Sequence, residues 1–266
     1  MIRLPAVAGV FYSGNEHELK RDVVAMLGMT DSNPSTITPK AIIVPHAGYV
    51  YSGRTAAVAY ARLAANRKTI KRIILLGPAH RTYVRGLAVP SVSAFATPLG
   101  LVELDAHAIN SITGKSQIVI SDAVHSLEHS LEVQLPFLQE VLDDFKMVPI
   151  AVGDASPEKV ADILNTLWGG PETVIVISSD LSHYLPYSAA QSEDNSTVQN
   201  ILEMRGNLTH QQACGGTPIN GLILAAKAHH LHPKLLSMCN SGDTAGDKQQ
   251  VVGYASIIFT EDAQHA

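Results

Sequence analysis

Cysteine and charge are both scarce in this sequence. Two cysteines among 266 residues, Cys214 and Cys239, cannot build a disulfide framework, and neither belongs to a CxxC pair. A reducing compartment, simplest as the cytoplasm, is the expectation. Charged residues make up only 16% of the chain, the net charge is −5, and no run of Lys or Arg exceeds two residues. Nucleic acid and anionic membrane surfaces are therefore excluded as expected partners. No apolar run approaches the ~18 residues that a membrane span needs. The opening MIRLPAVAGVFYSG lacks the basic-then-apolar pattern of a secretory signal.

Aromatics are also few, at 5%, whereas hydrophobic residues reach 46% and consist mainly of Val, Ile, Leu and Ala. That mix suits strands buried on both faces of a parallel sheet. Apolar runs at Ala41–Val44, Ile73–Leu76, Met147–Val152 and Thr173–Ile177 read as buried strands, and Val251–Phe259 as a longer one. Helical patterns fall between them at Glu16–Leu27, Gly53–Ala64, Ser126–Leu142, Pro157–Trp168, Ala189–Arg205 and Pro218–His229, with Pro136 expected to kink or break the third. Thr82–Leu104 reads as short strands and turns, and Asp31–Pro39 and Cys239–Asp247 as loops. Strands alternating with helices predict a three-layer α/β domain with a central, mostly parallel sheet, spanning 1–266 as one unit.

Polar residues recur at one place in this pattern. AIIVP runs directly into His46, RIILLGP into Ala79 and His80, and TVIVISS into Asp180 and then His183. In open α/β sheets the carboxyl ends of the strands border the ligand crevice, so these side chains are expected to meet. A lone histidine at a strand end is commonly a satisfied structural residue; three with the same placement point to a site. Cys214, in ACGGTPI, stands just ahead of a helix N-terminus that would favour its thiolate, or else is a small inert buried thiol. In SDAVHSLEHSLEVQLPFL, Glu128 and His129 are candidate pocket residues on a helix, and His125 is expected to be exposed. The HxxxH spacing of His125 and His129 can chelate metal, although HExxH is absent. His229, His230 and His232 read as the end of a helix, where imidazolium complements the dipole.

PHAGYVYSG, GPAH, EHSLEVQLPF, SSDLSHY and ACGGTPI, in this order, resemble the Memo-like family, whose prokaryotic members are called AmmeMemoRadiSam system protein B. The resemblance runs from Ala8–Tyr12 to Gly253–Ser256. It implies the fold of the class III extradiol ring-cleaving dioxygenases of the LigB type, which use non-haem iron. By that relation His46 and His80 would be metal ligands, Cys214 would fill the position of the dioxygenases' glutamate ligand, and His183 would be the acid–base residue with Asp180 beside it. A thiolate in place of the carboxylate softens the site, so copper or zinc also suits the ligand set. The resemblance further implies association with radical-SAM and AMMECR-domain proteins in prokaryotes, and engagement of phosphorylated receptor peptides in eukaryotes.

These features predict metal-dependent redox chemistry on a small substrate, with His183 moving the proton and Tyr49 and Tyr51 near the pocket. A binding protein that keeps the pocket for a peptide or small ligand without turnover is the alternative. A cysteine-nucleophile hydrolase, with Cys214 activated by His183, ranks third because His46 and His80 would then lack a role.

Overall fold

Each of the four short apolar runs becomes a strand of one sheet in the computed structural model, which describes residues 1–30 and 38–261. The first half of the chain forms β1 (Ile2–Arg3), α1 (Glu16–Gly28), β2 (Ala41–Val44), α2 (Tyr49–Tyr60), β3 (Arg72–Pro78), β4 (Leu87–Val89), β5 (Ala94–Thr97), β6 (Gly100–Glu103), α3 (Ala106–Ile112), β7 (Ile118–Ile120) and α4 (Asp122–Ser126). The second half forms α5 (Leu135–Val141), β8 (Lys146–Val152), α6 (Pro157–Leu167), β9 (Thr173–Ser178), β10 (His183–Leu185), α7 (Tyr187–Leu202), α8 (Gly216–Ala228), β11 (His232–Asn240) and β12 (Val251–Thr260).

Four strands, β2, β9, β3 and β8, lie side by side and parallel, with Val176 between Ile42 and Leu75 in register. Every residue of β2 and β9 is buried, because helices cover both sides of the sheet. Antiparallel pairing comes from β12 against β2 and β11, from β10 against β12, and from β4 against β8. A separate small sheet, β1-β5-β6, packs beside it. The expected three-layer α/β architecture with a mostly parallel central sheet is what the chain adopts. No described helix is long and apolar enough to cross a membrane.

Local chemistry sets several boundaries. Asn15 caps α1 by accepting the Glu18 N–H at 3.1 Å, so the helix starts where the sequence predicts. The expected helix over Ser126–Leu142 does not form as one piece. It breaks after Ser126, passes through a non-helical stretch at 127–131, and restarts as a 3-10 turn at Glu132–Gln134 that leads into α5. Pro136 falls in the first turn of α5, where its missing N–H costs nothing, so it begins a helix rather than kinking one. The loop expected from Cys239 is a strand through Asn240, since β11 continues along β12, and His232 starts that strand instead of ending a helix. The Asp31–Pro39 loop lies largely outside the described residues.

Candidate metal centre

Strand register assembles the site. Val44 of β2 is paired with Ser178 of β9, so two residues further on His46 stands beside Asp180. There the His46 N–H donates to Asp180 Oδ1 at 2.7 Å. On the other side of β9, β3 delivers His80 to the same edge. The rings of His46 and His80 lie 5.2 Å apart, and His129 joins them at 5.4 and 4.8 Å. One nitrogen from each of the three rings falls within 4.8 Å of the others, close enough to share a metal ion.

Hydrogen bonds behind the rings fix which nitrogen is free. The Ser178 hydroxyl has one proton and donates it to the Ser130 carbonyl at 2.5 Å, while Gln134 Nε2 donates to Ser178 Oγ at 2.9 Å. Toward His46 Nδ1, 2.8 Å away, Ser178 can therefore only accept, so that nitrogen carries the hydrogen and Nε2 keeps its lone pair. The carboxylate of Glu128 does the same for His80, taking Nδ1 at 3.1 Å and the backbone N–H of the same residue. Glu128 is buried, which works to raise its pKa. The hydrogen bonds from the His80 ring and the Ser130 N–H outweigh burial and bring it down to about 2. His129 Nδ1 lies 3.3 Å from Glu128 Oε1 without the alignment of a hydrogen bond, and it is a buried polar atom with no hydrogen-bond partner.

Burial, followed by the charge each ring would present to the next, pushes protonation of His46 well below the ordinary histidine range. The pKa of His129 falls to about 4, chiefly through burial. His46 and His129, disfavoured as cations and gathered beside His80, are donors suited to a metal ion.

Cys214 sits at the turn before α8, with Sγ 3.3 Å from His46 Nε2 and receiving the Asp180 N–H at 3.3 Å. Its approach depends on Gly215, where a Cβ would meet Ser179 Cβ at 2.6 Å and the Ser178 carbonyl oxygen at 2.9 Å. The helix N-terminus does not yield a free thiolate here. Burial and the neighbouring Asp180 carboxylate push the thiol up to about 12, so a bound cation would be needed to hold it ionised at neutral pH. Its ring partner is His46 rather than His183, so the pairing expected for a cysteine nucleophile activated by His183 does not form. Burial also pushes Asp180 up, to about 7.

His183 begins β10, opposite Val252, and burial lowers its pKa. Tyr184 follows it in the left-handed region, φ 58°, and is solvent-exposed. His80, His183 and Cys214 line one open cleft of about 840 Å³ with Glu193, His210 and Gln212. Tyr49 and Tyr51 instead border a different groove, with Met26, Arg54 and Asp243. The Tyr49 hydroxyl is committed to the Val133 carbonyl at 2.7 Å. His125, expected at the surface, is 1% exposed and donates from Nε2 to the Ala88 carbonyl. The non-helical break explains this, because it removes the shared helix face that would have paired His125 with His129.

Sequence reasoning passed over Ser178, Ser130, Gln134 and Arg3. Ser178, Gln134 and Arg3 carried a signal, as polar residues inside or beside apolar runs whose burial requires partners; Ser130, among polar neighbours, carried none.

The profile described as Memo-like protein matches residues 3–258. A MEMO1 family protein of Metallosphaera sedula is 32% identical over 287 residues, covering 98% of this chain and all of its own. Family proteins of Sulfurisphaera tokodaii and Nitrosopumilus maritimus are 35% and 36% identical, each covering 97% of this chain and at least 99% of their own.

Proposed function

The chain belongs to the Memo-like protein family, and on that premise we propose that it is a metal-dependent redox enzyme acting on a small molecule. One observation carries the reading: three imidazoles converge, two with their outer nitrogens fixed by Ser178 and Glu128, and the third with a buried nitrogen left unpartnered. His46, His80 and His129 hold the ion, and the Cys214 sulfur beside His46 is the additional donor. Iron fits by ancestry, and copper or zinc by ligand type. When bound, the metal supplies Lewis acidity and, for iron or copper, electron transfer. The cleft has the size of a small-molecule site, which runs from roughly 300 to 1,000 Å³. His183, on its wall and neutral at physiological pH, accepts a proton from the ligand, and Asp180 fixes the backbone of His46.

Elemental analysis of the purified protein tests this, before and after anaerobic reconstitution with iron(II), copper or zinc. The expected result is about one equivalent per chain, lost when His46→Ala and His80→Ala are combined. Failure of the reconstituted wild type to retain any of the three metals would sink the proposal.

A further inference from the structure

We infer that Arg3 is a positioning residue for this site, acting through the turn that carries Glu128 and His129; the inference rests on the metal-centre reading above. All three guanidinium nitrogens are spent on one stretch of chain more than 120 residues away in sequence. Nε donates to the His125 carbonyl at 2.7 Å, Nη2 to the Glu128 carbonyl at 2.6 Å, and Nη1 to Glu132 Oε2 at 2.5 Å. Arg3 and Glu132 are both buried, at 6% and 0% exposure.

The stretch so held is the non-helical break. Its backbone has no helical ladder between Leu127 and Leu131. Inside the turn the His125 carbonyl accepts the Glu128 N–H at a long 3.3 Å, and Arg3 supplies the shorter bonds to the His125 and Glu128 carbonyls. A planar fork with fixed donor directions does this where a point charge would not. The rest of the same N-terminal segment reinforces the hold. The N–H groups of Ala6 and Val7 and the Tyr12 hydroxyl all donate to the Glu132 carboxylate. Phe11 packs its ring 4.8 Å from that of His129. Residues 3–12 thus form the wall behind the third imidazole, and the segment touches neither His46 nor His80 through any of these bonds.

The consequence is specific. Loosening the fork lets Glu128 and His129 shift together, which disturbs His80 through Glu128 and leaves His183, on β10, in place. Outer residues that orient ligands typically change metal affinity by about 10- to 100-fold.

The test pairs two variants with two readouts. Arg3→Met combined with Glu132→Gln removes both charges together, so no buried ion is left unpaired, and Gln keeps an acceptor for Tyr12. Arg3→Lys keeps the charge and loses the fork. Imidazole resonances of the metal-free protein are compared by long-range proton–nitrogen correlation, and cobalt(II) affinity is measured by titration. The expected result is displaced His129 and His80 signals with unmoved His183 in a folded double variant, and cobalt affinity down about tenfold or more. The lysine variant should fall between it and the wild type. Unmoved His129 and His80 signals in either folded variant overturn the inference, and Arg3→Lys decides alone if the double variant does not fold. Should the wild type bind no cobalt, the metal reading fails while the imidazole spectra still decide the role of Arg3.

Discussion

The two ends of the central strands bury polar groups in opposite ways. At the amino ends, Lys40 enters β2 with its ammonium buried, and its three protons meet the carbonyls of Trp168, Gly170 and Thr173 at 2.6, 2.9 and 2.9 Å. The ammonium also lies over the Trp168 ring at 5.4 Å, and His229 stacks on that ring at 3.7 Å. Every donor has an acceptor, so the cluster is closed and has nothing left to bind. At the carboxyl ends, Ser178, Gln134, Ser130 and Glu128 satisfy only the outer side of the histidine cluster. The inner side brings one nitrogen of each ring within 4.8 Å of the others, with the Cys214 sulfur beside His46 Nε2. Burial of polar groups is common to both ends; surplus acceptors distinguish a site from a structural plug.

The comparison predicts that changes at the open end alter binding and changes at the closed end alter stability. The largest effect should come from removing a donor at the open end. His129→Ala is expected to lower cobalt(II) affinity by about 100-fold or more, since it deletes one of three imidazoles. Cys214→Ala should cost less and abolish any sulfur-to-metal charge-transfer band. Equal affinities for wild type and His129→Ala would move the third ligand position to Cys214. At the closed end, Lys40→Met leaves three carbonyls without their donor and should destabilise the fold by about 1–3 kcal/mol in urea unfolding. Its metal affinity should equal that of the wild type, and a loss there would erase the contrast between the two ends.

Ser178→Ala sharpens the same contrast in reverse. The His46 Nδ1–H loses its acceptor, the ring is free to turn, and metal affinity should fall about tenfold, a loss that Lys40→Met should not show. The Gln134 amide and Ser130 carbonyl left without Ser178 add a stability cost of about 1–3 kcal/mol. The smallest effect concerns Asp194 of α7, which is buried and accepts the Ser182 N–H at 3.0 Å. Burial raises its pKa above the ordinary carboxylate range. As pH rises through that interval the unfolded chain releases its proton first, so the folded state binds more protons and loses stability. The stability of Asp194→Asn relative to wild type should therefore increase from acidic to neutral pH. A pH-independent difference between the two would remove burial as the cause.

Much of this was legible in the residues. The apolar runs, the turn residues that bound them and the ionisable residues just past their ends led to the parallel strands and to the edge where His46, His80, Asp180 and His183 stand. Glu128 and His129 were legible as polar residues worth keeping, but through a helix that does not exist. Periodicity over 126–142 is helical on average, and no local signal marks the break, because Arg3 holds it from a distant point in the chain. The same break turned His125 inward. Tyr49 and Tyr51 sit next to PHAG in sequence, yet α2 starts at Tyr49 and carries them away from the cleft.

The sequence by itself determined which central strands form, that they are buried on both faces, and which side chains leave their ends, because these follow from hydrophobic runs and local backbone preference. Only the tertiary structure decided which nitrogens are free, where His129 stands and how Cys214 is protonated. Those properties depend on partners such as Ser178, Glu128 and Asp180, brought within hydrogen-bonding distance by strand register and by contacts across more than a hundred residues, where burial strengthens each interaction.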